Sequence, residues 1–268
     1  TRWLSDWSSD VCSSDLEMHV FEILETNTVS RDFIQLINPE KISKENLLRY
    51  KQQMSYLLDL FKDAKLFGSL LEVENDIEYD IMYRVLKSDK DSILGSEYYE
   101  TYRHILKQAE VLDRKYDVVV TNPPYMGRGK MPGRLTAFVD SKYPRSKSDL
   151  FATFMEIKRV KKNGFLGMIN MQSWMFLSSY EELRKYILSN ITFISLVHLG
   201  ENAFDDIKGE VVQSVMFVKQ NSKIQNYKSC FFRLVDGRSS EEKRISYLNR
   251  TGLFIKGFDQ LSRIPGSP

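Results

Sequence analysis

The chain has 268 residues, 42% of them hydrophobic and 12% aromatic, enough to bury a core in one or two globular domains. Its formal net charge of +2 supplies no strong field, so bulk charge selects no partner, and any grip on nucleic acid has to come from local clustering of Lys and Arg. The two cysteines, Cys12 and Cys230, form no C-x-x-C pair and His19, His104 and His198 stand apart, a pattern that offers no zinc or redox motif, predicts no catalytic metal and fits a reducing cytoplasm.

In chain order, residues 1–16 mix Ser, Asp and Trp with no amphipathic period and no basic or apolar leader. They read as foreign or disordered sequence, and the natural frame is expected to begin upstream. Ser43 is placed to cap a helix whose apolar positions Leu47, Leu48, Met54, Leu57, Leu58 and Phe61 fall near helical spacing before Gly68. A second helix is predicted from about Ser96 to Asp113, with Tyr98, Tyr99 and Tyr102 as packing residues rather than a stacking platform. Asp117 to Thr121 is a short β-branched run, predicted as a strand buried on both faces, and Asn122-Pro123-Pro124 must end it.

Past that turn, Gly127 to Gly133 reads as a mobile loop and Ser148 to Lys162 as a helix that Gly164 terminates. A strand over Phe165 to Met171, a helix over Ser179 to Ser189, and strands over Ile191 to Leu199 and Glu210 to Lys219 follow. Strands alternating with helices predict an α/β domain with a mainly parallel, Rossmann-like sheet whose last two strands pair as a hairpin. Asn221 to Lys228 reads as a linker, Glu241-Glu242-Lys243-Arg244 as a solvated surface, and Ile264 to Pro268 as a truncated end. No apolar run reaches the roughly 18 to 20 residues of a membrane span.

The segment Tyr116 to Tyr125 carries the chemistry. It sets a stiff polar turn at the carboxyl end of a strand, where ligands bind in open α/β sheets. Two prolines fix φ and remove two donors, so the turn presents carbonyl oxygens and one amide side chain. The lone pair of an exocyclic amine is delocalised into its ring. Acceptors on both hydrogens, here Asn122 Oδ1 and the Pro123 carbonyl, are what such a nitrogen needs to become nucleophilic. Tyr125 offers a flat face for an extruded base, worth about 1–3 kcal/mol in stacking. Taken alone the turn can also be an ordinary strand end, since Asn and Pro are common there.

Asn-Pro-Pro-Tyr after an apolar strand resembles the signature of amino-methylating, S-adenosylmethionine-dependent enzymes, chiefly adenine-N6 DNA methyltransferases. The resemblance continues in order through Ser148-Asp149-Leu150-Phe151 with Phe154-Met155-Glu156, Gly164 to Ile169, Tyr180 to Tyr186, Val197 to Glu201 with Phe204, and Gly209 to Ser214. Phe61 to Ser69 together with Pro123 to Gly127 is similar to the large methyltransferase of the BREX phage-defence system, over roughly residues 17–237.

The resemblance implies that Asn122, Pro123 and Pro124 form the catalytic turn, that Tyr125 and Phe204 stack on the flipped base, and that Phe154 touches the cofactor, S-adenosyl-L-methionine. It implies a partner in double-stranded DNA with a flipped adenine, and further defence-system proteins as associates. Residues 116–220 would be the C-terminal half of a methyltransferase catalytic domain, residues 17–115 a helical segment inserted in or preceding that core, and residues 221–268 a linker with the start of a target-recognition region. The family's glycine-rich cofactor loop is not visible ahead of Asn122.

Between Arg128 and Lys147 lie six basic residues, Arg128, Lys130, Arg134, Lys142, Arg145 and Lys147, against the single acid Asp140. They are expected to contact the DNA backbone, against the alternative of a solvated loop. Two other readings stay open: an amino-methyltransferase acting on RNA or on a protein glutamine amide, and a non-catalytic DNA-binding or assembly fragment.

Overall fold

The computed structural model describes residues 20–37, 42–90, 93–204 and 213–257. Residues 1–16, expected to be foreign, lie outside them. The chain divides into two compact units, Thr1–Val111 and Leu112–Pro268.

The first unit is helical: α1 Asp32–Leu36, α2 Lys44–Leu60, α3 Ala64–Phe67, α4 Tyr79–Ser88 and α5 Ile93–Asp113. Ser43 caps α2 as its position predicts, its side chain accepting from Asn46 N at 3.2 Å. The buried stripe Tyr50, Met54, Leu57 and Leu58 follows the helical period. α5 starts three residues before the predicted Ser96. Tyr102 is fully buried against Phe33, with ring centroids 5.0 Å apart, and Tyr98 stacks on the same ring, so both act in packing as expected.

The second unit is built on one six-stranded sheet, in the order β1-β2-β4-β3-β5-β6. Its strands are β1 Tyr116–Thr121, β2 Val160–Met171, β3 Thr192–Gly200, β4 Ser214–Gln220, β5 Lys228–Arg233 and β6 Leu253–Gly257. Only β1/β2 and β3/β5 run parallel; β2/β4, β3/β4 and β5/β6 are antiparallel. The sheet is therefore mixed, not mainly parallel, because β4 inserts between β2 and β3 after its hairpin with β3. The sheet continues past Gln220 through β5 and β6, with α9 Ser240–Leu248 between them.

Helices α6 Gly133–Lys142, α7 Leu150–Phe154 and α8 Glu181–Asn190 complete the unit. The core lies on one sheet face, where Phe151 from α7, Met155 just after it, and Leu183 and Ile187 from α8 meet Leu166, Phe193, Val215 and Phe217. Residues of opposite strand parity point the other way, and there Phe165, Met216 and Val218 are exposed.

Several expectations change. The strand β1 is not buried on both faces: Val118 and Val120 are 60% and 79% exposed, and only Val119 packs on the core. An apolar β-branched run reads the same for a central strand as for this edge strand, whose one ladder among the described residues is with β2. The helix expected over Ser148 to Lys162 is only five residues long, and β2 begins at Val160.

Gly164 does not end a helix. It lies inside β2, where a Cβ would come within 2.7 Å of the Asp117 carbonyl oxygen, so the approach of β1 requires glycine there. The expected loop after Gly127 instead holds a 3₁₀ turn, Arg128–Lys130, and then α6. Met131, Leu135, Val139 and Tyr143, four residues apart and all buried, carry the signal for α6.

Two lysines are buried rather than solvated. In the stretch read as solvated surface, Lys243 donates to the Leu199 carbonyl at 2.8 Å and to that of Leu234 at 3.0 Å. Lys219 donates to the Met155 carbonyl and is 6% exposed, and burial pulls its ammonium down from 10.5 to about 8.

A depressed folded pKa means that the unfolded chain binds more protons between about 8 and 10.5, so stability rises with pH across that window. The burial cost is carried in full below it and amounts to roughly 3 kcal/mol. Urea titrations at pH 7 and pH 10 should show a gain of about 2 kcal/mol at the higher pH that is absent in Lys219→Met. Equal pH dependence in the two proteins would contradict this account.

Candidate functional site

The carboxyl end of β1 delivers Asn122, Pro123, Pro124 and Tyr125 in sequence, with Pro123 buried and Asn122, Pro124 and Tyr125 exposed. The buried Pro123 anchors the turn, while the amide and the phenol are presented to solvent. The Tyr125 hydroxyl donates to Asn122 Oδ1 at 3.3 Å. Its ring meets Phe151 edge-on, centroids 6.1 Å apart at 84°, and Phe151 in turn leans on Tyr180. Burial, and then the Asp149 carboxylate, raise the Tyr125 phenol above its usual range, so it remains a neutral donor.

Beyond Tyr125 the backbone is pinned to the start of α7. Leu150 N donates to the Met126 carbonyl at 3.0 Å, and Arg128 N to the Ser148 carbonyl at 3.0 Å, flanking a bridge between Gly127 and Asp149. Beside this pairing opens a cavity of about 530 Å³, lined by Tyr125, Arg128, Lys130, Asp149 and Met171 among others. It joins one flat aromatic ring, two cations and one carboxylate at the carboxyl ends of β1 and β2, the edge where α/β sheets bind ligands.

Apart from Arg128 and Lys130, which line this cavity, the other expected site residues lie on several elements. Phe154 packs against the core cluster. Phe204 follows β3 and is exposed. Arg128 is held by Asp140, at 2.6 and 3.1 Å. Arg145 is held by Glu156, at 2.6 and 2.9 Å, and lies 4.1 Å over the Tyr186 ring. Arg134 and Lys142 are on α6. Lys130 and Lys147 are exposed, and the Lys147 charge acts on the Asp140 carboxylate.

A second, apolar cavity of about 290 Å³ lies between β3, β5 and α8, lined by Trp174, Phe193, His198 and Phe231 among others. Burial, then Arg233 and Lys243, push the His198 imidazole down and keep it neutral. A side-chain chain runs from His198 through Gln172 and Gln213 to Glu201 and ties the carboxyl ends of β2 and β3 to the start of β4. Sequence reasoning missed this network because its members are far apart in the chain. Among the described residues no cluster of His, Cys, Asp or Glu can hold a metal, and no helix is long and apolar enough to cross a membrane.

The fold thus sets an Asn-Pro-Pro-Tyr turn at the carboxyl end of the edge strand of a mixed α/β sheet. The chain belongs to the Eco57I restriction-modification methylase family, whose sequence model matches residues 23–204.

It is 44% identical over 220 residues to the adenine-specific methyltransferase BrxX of Escherichia coli O9:H4 (strain HS), covering 79% of this chain and 18% of that protein. It is 36% identical over 275 residues to the adenine-specific methyltransferase PglX of Lacticaseibacillus casei (strain Zhang), covering 96% of this chain and 22% of that one. The type II methyltransferase M.VspI of Vibrio sp. (strain 343) is 30% identical over 102 residues, 37% of this chain and 24% of that protein. The chain thus spans about a fifth of the length of the first two relatives.

Proposed function

We propose that this chain is the amine-accepting part of an S-adenosylmethionine-dependent DNA methyltransferase that modifies the N6 amine of a flipped adenine, in a system that marks host DNA against phage. The observation that carries the reading is the Asn122 to Tyr125 turn, with its amide oxygen and aromatic ring exposed beside a cavity of about 530 Å³. Similarity to adenine-specific methyltransferases supports the choice of base.

In this reading Asn122 Oδ1 and the Pro123 carbonyl accept the two amine hydrogens, Pro124 stiffens the turn, and Tyr125 stacks on the base. Phe204 supplies a second ring from the segment after β3. Double-stranded DNA lies along Arg128, Lys130, Arg134, Lys142, Arg145 and Lys147, with Arg128 and Arg145 set in place by Asp140 and Glu156. Other defence proteins act with the full-length enzyme in the cytoplasm.

The cofactor supplies the methyl group. No glycine-rich turn precedes Asn122 in the sequence, and Phe154, partly buried against the core cluster, is the residue of this chain assigned to the cofactor. The other roles assigned to this chain concern the target amine and the DNA.

The test is product identity. The full-length enzyme, given tritium-labelled S-adenosylmethionine and unmethylated genomic DNA, should place label in N6-methyladenine after hydrolysis of the DNA. Label in RNA, in a protein glutamine, or in no product would reject the assignment.

In this reading the Tyr125 hydroxyl competes with the amine for Asn122 Oδ1, taking up one of its two lone pairs in the free protein. An exposed neutral hydrogen bond of this kind is worth about 1 kcal/mol. Tyr125→Phe should lower KM for DNA about two- to fivefold with kcat little changed, since 1.4 kcal/mol is a factor of about ten. Tyr125→Ala should cut kcat/KM by at least about fivefold through lost stacking, about 1–3 kcal/mol. A raised KM for the phenylalanine variant would show that the hydroxyl helps the base instead.

A further inference from the structure

We propose that Asp149 is a positioning residue that holds the catalytic turn in its amine-accepting shape, by tying the backbone just past Tyr125 to the first turn of α7. The proposal rests on the reading of Asn122 to Tyr125 as the amine site and names a residue that supports it from outside the motif.

Two bonds to one carboxylate oxygen carry the argument. Asp149 Oδ1 accepts from Phe151 N at 3.2 Å, capping α7, and from Met126 N at 3.0 Å, across to the residue after Tyr125. The Met126 carbonyl meanwhile accepts from Leu150 N at 3.0 Å. Both backbone groups of Met126 are thereby spent on the α7 start.

On the other side of Tyr125, Pro123 and Pro124 have fixed φ and no N–H. Tyr125 is thus the single residue between two clamps, one supplied by proline rings and the other by a carboxylate. The same oxygen orients Phe151, the ring that meets Tyr125 edge-on at 6.1 Å. One side chain therefore sets both the backbone that aims the Tyr125 ring and the surface it rests on.

The second oxygen, Oδ2, lies 3.6 Å from the position of a Cβ on Gly127, and Asp149 lines the same cavity as Tyr125. Capping a helix needs no carboxylate, since Ser or Thr does it as well. Reaching Phe151 N and Met126 N together takes the planar head of Asp or Asn, one bond further from the backbone than a serine hydroxyl. Burial raises the Asp149 carboxyl above its usual range, opposed by the N–H groups of Phe151, Met126 and Leu150, which favour the charged form. The group is held in a place that only its hydrogen bonds make favourable.

The test separates capping from positioning with three variants of the full-length enzyme, assayed with labelled S-adenosylmethionine and unmethylated genomic DNA. Asp149→Asn keeps both acceptor bonds and should retain kcat within about threefold. Asp149→Ser keeps the cap but loses the link to Met126, and its kcat should fall by about thirtyfold or more with KM for the cofactor within about twofold, as expected when the geometry of a catalytic group loosens. Asp149→Ala should match the serine variant in kcat and lose thermal stability as well.

A serine variant with wild-type kcat would reduce Asp149 to a helix cap and overturn the proposal, as would an asparagine variant as poor as serine. If the wild-type enzyme methylates no adenine, the functional reading fails on its own. Hydrogen exchange over residues 125–128 then still decides the role of Asp149, being faster in the serine variant and unchanged in asparagine if the tie exists. Equal protection in both variants would overturn it.

Discussion

Asn122→Ala should lower methyl transfer to DNA by about a thousandfold in the full-length enzyme while leaving its unfolding transition in place. An adenine N6 nitrogen is a poor nucleophile because its lone pair is shared with the ring. Acceptors on both hydrogens pull the nitrogen toward a tetrahedral shape as the methyl arrives, so under the proposed role the bond to Asn122 would strengthen in the transition state and act on kcat. Removing one preorganised polar partner of a reacting group typically costs a factor of about 100 to 1000, and the upper end applies because the Pro123 carbonyl cannot turn to serve both hydrogens.

The fold should not notice the change. Asn122 is exposed, and its one side-chain partner, the Tyr125 hydroxyl, reaches water. Asn122→Asp keeps an acceptor and should be the less damaged variant. The measurement is initial rate at saturating cofactor beside a thermal melt. Turnover within tenfold of wild type by a folded alanine variant would remove Asn122 from the chemistry.

The second large effect is on stability, at Trp174. This residue follows β2 and is 4% exposed. Its ring stacks on Phe193 at 5.9 Å and meets Phe217 edge-on at 5.8 Å, joining three rings of the core. Its Nε1–H donates to Asn170 Oδ1 at 3.2 Å, and Asn170 is fully buried.

Trp174→Ala therefore opens a cavity and orphans a buried amide. Truncating a buried aromatic costs about 3–5 kcal/mol, and an unsatisfied buried acceptor about 1–3 kcal/mol. A loss of about 4 kcal/mol or more in urea unfolding is expected, a large part of the 5–15 kcal/mol typical of a domain. Trp174→Phe keeps most of the packing and should cost about 2 kcal/mol, chiefly through Asn170. A cost under 1 kcal/mol for alanine would mean that the core closes over the gap.

The same residue reaches toward the site. Arg184 on α8 donates to the Trp174 carbonyl at 2.9 Å and to that of Leu177 at 2.7 Å, fixing the turn that leaves β2. Met171, at the end of β2, lines the cavity beside Tyr125. A destabilised Trp174 variant should therefore lose activity below its melting point, in proportion to local opening of this turn.

What could be read from the residues alone was what short-range chemistry dictates. The Ser43 cap and the apolar period of α2, the β-branched run of β1, the proline-stiffened turn after it and the α8 helix all depend on neighbours within a few positions. The stiffness of the turn that presents the Asn122 amide follows from residue type and order, because two prolines leave the backbone few alternatives.

The rest needed partners distant in sequence. Gly164 signalled a helix end locally, yet the nearby Asp117 carbonyl is what demands it. Val118 looked as buried as Val119 until its place at a sheet edge left it exposed. Arg128 and Arg145 counted as free positive charge until Asp140 and Glu156 were found beside them, and Lys243 as solvent-facing until burial turned it to backbone carbonyls. Asp149 read as a helix start, but its bond to Met126, 23 positions away, exists only once α7 folds back onto the turn. Local sequence sets which groups are present and how stiff they are; long-range packing alone decides which of them meet, since burial and pairing depend on residues that the chain brings together only when it closes.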